Sequence, residues 1–140
     1  MGSSKPILLV EDDDVDAMTT KKALDELEFT NELIRKVDGE EALEYLQQDD
    51  KQLPYFILLD LNMPRMNGLE FLKVIKDEQI LKRIPVVVLT TSETEQNIVD
   101  SYELGVAGYV VKSVDYKHFV ESMKTITEYW TLSRVPEREQ

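Results

Sequence analysis

Apolar residues follow two alternating rhythms along the chain. Short runs such as "ILLV", "FILL" and "VVVL" are apolar throughout, while the longer segments between them repeat apolar residues at three- and four-residue steps. Runs of the first kind suit strands covered on both faces; segments of the second kind suit amphipathic helices. Strands are predicted over Pro6 to Val10, Glu32 to Val37, Phe56 to Leu59, Val86 to Leu89 and Tyr109 to Val111. Core-facing helical stripes are predicted from Val15, Met18, Leu24 and Leu27, from Ala42, Leu43 and Leu46, and from Phe119, Met123, Ile126 and Trp130. Helix starts are signalled by Asp13 or Asp14, by "DGEEALEYL" and by "SETEQ".

Five such repeats make an α/β fold with one five-stranded parallel sheet and five helices on both faces. The repeats alone leave the strand order open. In the flavodoxin-like order, 2-1-3-4-5, a site belongs at the carboxyl ends of the strands, beside the point where the order reverses. The residues following the apolar runs match that place: Glu11 and Asp12 after the first, Asp60 after the third, Thr90 after the fourth and Lys112 after the fifth. A capping or turn role for Asp60 is the plain alternative, since Asn62, Pro64 and Gly68 follow it. Reactive groups at the ends of four strands outweigh it.

Size and composition narrow the chemistry. With 140 residues the chain fits one domain: 1–4 as a disordered start, 5–130 as the domain and 131–140 as a polar tail too short for an effector domain. It has no cysteine and one histidine, His118, which removes thiolate and His-rich metal sites and most triads; His118 reads as a surface residue on a helix. A net charge of −12 argues against nucleic acid as a partner. No apolar run reaches membrane-spanning length and no secretory signal is visible, so a cytoplasmic protein with no membrane partner is expected.

Three clustered carboxylates repel one another and recruit a hard cation; with only oxygen ligands on offer, Mg²⁺ fits. Glu11, Asp12 and Asp60 with Mg²⁺ and Lys112 sum formally to zero. The run "EDDDVD" fails as a calcium loop because Ala17 and Ala23 occupy the required glycine and glutamate positions. For Asp13, Asp14 and Asp16, capping, dipole stabilisation and a solvated helix face suffice. A carboxylate that shares a metal with a phosphoryl oxygen can attack phosphorus, with Lys112 and Thr90 holding the phosphoryl oxygens. The lysine's counter-charge is expected to arrive only with that group. Asn62 stands where an aspartyl phosphatase needs its general acid, so the acyl phosphate should persist as a switch state.

Together, "ED" after "ILLV", "LLDLNMPRMNG", "PVVVLTTS" and "GYVVKS" resemble the receiver domain of two-component response regulators from Lys5 to Trp130. The resemblance implies the order 2-1-3-4-5. It also implies that Asp60 accepts a phosphoryl group from a sensor histidine kinase's phosphohistidine, with Asp12 binding Mg²⁺ directly and Glu11 through water. Asn62 would give the metal its backbone carbonyl. Thr90 and Lys112 would bind the phosphoryl group, Tyr109 would be the aromatic that follows the phosphorylated state, and Asn62 and Ser92 would tune its lifetime. Thr90 reads otherwise as a β-branched strand end and Tyr109 as an amphipathic edge residue.

"ED", "LTTS", "KS" and the Tyr129–Trp130 pair are similar to stand-alone regulators paired with phytochrome kinases. In that group the face of the fourth helix, fifth strand and fifth helix mediates homodimers. One departure stands out: receivers usually have a cis proline after the lysine, and this chain has Ser113. A cis bond there costs about 3–4 kcal/mol, so the loop is either strained or trans. A small Mg²⁺-dependent aspartyl phosphatase and a phosphate-independent interaction domain are the competing readings.

Overall fold

The computed structural model describes residues 5–48, 52–61, 63, 66–90, 100, 103–112 and 115–133, without the side chains of Thr90 and of residues 129–133. Five parallel strands, β1 (Ile7–Val10), β2 (Leu33–Lys36), β3 (Ile57–Leu59), β4 (Val86–Thr90) and β5 (Gly108–Val111), form one sheet in the order β2-β1-β3-β4-β5. Each predicted strand is found to within one residue at either end. The helices are α1 (Asp14–Glu26), α2 (Gly39–Leu46), α3 (Gly68–Lys76) and a C-terminal helix (Tyr116–Ser133), with a short 3₁₀ turn at Leu81–Arg83. The C-terminal helix continues past Trp130, the predicted domain end, to Ser133. The predicted fourth helix, with its "SETEQ" start, falls mostly on residues 91–99 and 101–102, outside the described residues.

The unbroken apolar runs have a simple cause. Successive strand residues point to opposite faces, and both faces are covered. Leu8, Val10, Ile57, Leu59, Val86 and Val88 pack with α2 and α3 on one side; Ile7, Leu9, Phe56, Leu58, Val87 and Leu89 pack with α1 and the C-terminal helix on the other. Ala42, Leu46, Phe119 and Met123 are buried as predicted, and Leu43 and Ile126 are partly so.

The stripe predicted for α1 is only half right. Leu24 is buried and Leu27 partly buried, but Val15 and Met18 are 69% and 70% exposed. The buried face is Ala17, Thr20, Ala23 and Leu24. At about 100° per residue, Val15 and Met18 fall on the opposite side of the helix. Two small residues and a threonine, whose hydroxyl donates to the Asp16 carbonyl at 2.9 Å, carry a core contact that hydropathy alone hides.

Side-chain caps set where the helices start. Asp13 and Asp38 each accept from the backbone N–H three residues on, as "EDDDVD" and "DGEEALEYL" predict. At α3, Asn67 accepts from Glu70 N–H while the Glu70 carboxylate accepts from Asn67 N–H, a reciprocal pair. Asn67, not Asp60, is therefore the cap after β3.

Candidate metal and phosphoryl site at the carboxyl edge of the sheet

Parallel pairing brings the carboxyl ends of β1, β3, β4 and β5 to one edge, where the order reverses between β1 and β3. The backbone around the acidic residues is tied to both neighbouring strands. Asp60 N–H donates to Val10 C=O at 3.0 Å, and Glu11 N–H donates to Lys36 C=O at 2.9 Å. From β2, Arg35 Nε donates to Glu11 C=O at 2.9 Å. Gly68 lets α3 approach closely: a Cβ there would lie 2.5 Å from the Asp60 carbonyl oxygen and 2.6 Å from Leu61 Cα.

On this frame one carboxylate oxygen each from Glu11, Asp12 and Asp60 lies within 4.8 Å of the others. Glu11 and Asp60 are buried, 1% and 5% exposed, whereas Asp12 faces solvent. The Lys112 ammonium completes the group, 2.7 Å from Glu11 Oε1 and 3.7 Å from Asp60 Oδ2. Thr90 ends β4 beside Val111, one position before Lys112. Tyr109 is half-buried in β5, paired in register with Val88. Asn62, Ser92 and Ser113 lie outside the described residues, and so does the question of the Lys112–Ser113 bond.

Burial pushes the Glu11 carboxyl up to about 7, against the hydrogen bond from Lys112 and with the nearby Asp60 charge adding to the rise. Burial pushes the Lys112 ammonium down, but hydrogen bonds to Asp16 and Glu11 and the Asp60 charge outweigh it and leave the group above its ordinary value. An oxygen-only donor set, two members of it buried and mutually repelling, fits a hard divalent cation.

Two residues join the site that the sequence reading left out. Asp16, predicted to lie on a solvated helix face, places Oδ2 2.7 Å from Lys112 Nζ and is only half-exposed. The lysine is thus already engaged by two carboxylates, contrary to the expectation that its counter-charge arrives only with a phosphoryl group. Arg35, besides holding Glu11 C=O, donates from Nη1 to Asp14 Oδ1 at 2.8 Å. Only the pairing of β1 with β2 reveals it. Asp13 is a cap as expected. His118 is a surface helix residue, also as expected, paired with Asp115.

The chain is similar to known proteins over most of its length. The family described as "Response regulator receiver domain" matches residues 7–124. Response regulator Rcp1 of Synechocystis sp. is 42% identical over 130 residues, spanning 90% of this chain and 88% of that protein. The structure of the phosphorylated cyanobacterial phytochrome response regulator RcpA is 41% identical, covers 92% of this chain and 95% of its own, and superposes with a TM-score of 0.82. The Mn(2+)-bound form of Rcp1 is 42% identical, with 90% and 94% covered and a TM-score of 0.80.

Proposed function

The chain belongs to the response regulator receiver domain family, and from that premise we propose that it is a phosphoacceptor switch in which Asp60 takes a phosphoryl group from a sensor histidine kinase. The observation that carries this is the meeting of Glu11, Asp12 and Asp60 within 4.8 Å, with Lys112 against them. A carboxylate oxygen of Asp60 attacks phosphorus, the P–N bond to the kinase's phosphohistidine breaks, and the imidazole leaves with the electron pair. The Lys112 ammonium draws the phosphoryl oxygens by charge. Thr90, which ends the neighbouring strand, is the second residue assigned to the phosphoryl oxygens.

Glu11, Asp12 and Asp60, with the carbonyl of Asn62, would hold Mg²⁺, which would supply charge neutralisation for the carboxylates and the transferred group. Both oxygens of Glu11 already accept hydrogen bonds, Oε1 from Lys112 and Oε2 from Asp13 N–H at 3.2 Å. That supports contact through water for Glu11 and direct contact for the exposed Asp12. That Rcp1 was solved in a Mn(2+)-bound form supports a divalent ion as the ligand.

The phosphohistidine donor is assigned to a kinase of the phytochrome class, because RcpA, which superposes on this chain, is a phytochrome response regulator. Val15 and Met18 expose apolar surface on α1, beside the site, where a donor protein must dock. Output is assigned to a partner or a second copy at the face of the fourth helix, β5 and the C-terminal helix. On that face Tyr109, His118, Glu121, Ser122, Thr125 and Ile126 line a hollow of about 390 Å³. Tyr109 and Thr90 are the links from site to face, and Asn62 and Ser92 set the lifetime.

Incubation with acetyl phosphate and Mg²⁺ tests the reading: the intact mass should gain one phosphoryl group in the wild type and none in Asp60→Asn. Equal labelling of both refutes it. Phosphotransfer from a panel of kinases, with solution mass followed in parallel, identifies donor and dimer.

A further inference from the structure

The lysine of the site is held away from the residue it is meant to serve. Lys112 Nζ lies 2.7 Å from Glu11 Oε1 and 2.7 Å from Asp16 Oδ2, but 3.7 Å from Asp60 Oδ2. An ammonium has three protons, and two of them are committed to carboxylates that are not the phosphoacceptor.

Asp16 is well anchored for such a hold. Its N–H donates to Asp13 Oδ1 at 2.9 Å, and its C=O accepts from the hydroxyl of Thr20, a fully buried residue, at 2.9 Å. Two residues earlier, Asp14 is tied to Arg35 on β2 at 2.8 Å. The first turn of α1 is thus pinned from both sides of the sheet, through Arg35 from β2 and through Lys112 from the end of β5. With its backbone held, the Asp16 carboxylate can follow a moving lysine only by rotating its side chain.

We propose that Asp16 is a positioning residue that holds Lys112 in the unphosphorylated protein and competes with the phosphoryl group for its ammonium. The proposal rests on Asp60 being the phosphoacceptor. When a phosphoryl group occupies Asp60, the ammonium turns toward its oxygens and the pair with Asp16 lengthens. No covalent bond changes and the proton stays on Nζ. Asp16 therefore sets how firmly the unoccupied state is preferred. Buried Glu11, which moves less easily into water, keeps its contact.

The test is the affinity of the full chain, with Mg²⁺ present, for beryllium fluoride, an equilibrium mimic of an aspartyl phosphate. Asp16→Asn should bind about two- to fivefold more tightly than wild type, the range for a partly exposed ion pair. Asp16→Glu, which keeps the charge, should lie nearer wild type. In a Lys112→Gln background the Asp16→Asn gain should vanish, and Asp14→Asn, an equal loss of charge on the same turn, should produce a smaller gain. Unchanged or weaker binding in Asp16→Asn overturns the proposal. So does a gain that persists without the lysine, because it then reports only the lost negative charge. A wild type that takes neither the mimic nor a phosphoryl group from acetyl phosphate defeats the phosphoacceptor reading itself. Normal wild-type labelling with no Asp16→Asn effect defeats only the role of Asp16.

Discussion

Glu11 shows how one residue can report on the whole site. Its carboxyl is raised from 4.5 to about 7, chiefly by burial, so between those values the folded chain holds a proton that the unfolded chain has lost. Stability of the metal-free protein should therefore fall as pH rises from about 4.5 to about 7, since a native state that binds more protons loses ground as they are removed. The contribution is on the order of 3 kcal/mol at 1.36 kcal/mol per pKa unit. Denaturant titrations across that range should show the decline in wild type and a flatter profile in Glu11→Gln; parallel profiles would remove Glu11 as the cause. Lys112 is the balancing residue. With its side chain only 8% exposed and two carboxylates at 2.7 Å, it is part of the resting structure.

At the scale of elements, α3 matters for where it begins. Asn67 and Glu70 cap it reciprocally, and Gly68 N–H donates to Leu61 C=O at 3.0 Å, so the helix starts directly against the segment after β3. Gly68→Ala would drive a methyl group into the Asp60 carbonyl and Leu61 Cα, both backbone atoms that cannot turn aside. A loss of about 1–3 kcal/mol is expected, the usual cost of overpacking, together with slower labelling of Asp60 by acetyl phosphate. Thermal unfolding and intact-mass kinetics of the same variant measure both; a loss of stability with labelling unchanged would separate the helix start from the site. α1 carries the opposite lesson. Its core side is built from Ala17, Thr20, Ala23 and Leu24, which leaves Val15 and Met18 free on the outer face.

For the whole molecule the dominant fact is an excess of negative charge, −12 over 140 residues, part of it concentrated at one sheet edge. Binding of a divalent cation to the folded chain alone raises stability by RT ln(1 + [L]/Kd), about 2.7 kcal/mol at a hundredfold excess over Kd. Millimolar Mg²⁺ should therefore raise the Tm of the wild type. Asp12→Asn should lose most of that rise and Glu11→Gln less of it, in line with direct and water-mediated contact. Equal losses would undo that distinction. Among the described residues no helix is long and apolar enough to cross a membrane.

Pattern alone determined the strands to within a residue, the α/β class, and the place of Glu11, Asp12, Asp60, Thr90 and Lys112 at strand ends. Apolar runs and the residues that end them are local properties, and parallel pairing carries every such ending to the same edge. Resemblance supplied the strand order that periodicity left open. Tertiary structure alone decided which neighbours those residues meet. The partnership of Lys112 with Asp16 joins positions 96 apart, and that of Arg35 with Asp14 joins positions 21 apart. Such contacts follow from the register of β1 with β2 and the seating of α1 across the sheet, which no local rhythm encodes. The exposed Val15 and Met18 have the same origin: hydropathy marks a residue as apolar, but only packing decides which side of a helix meets the core.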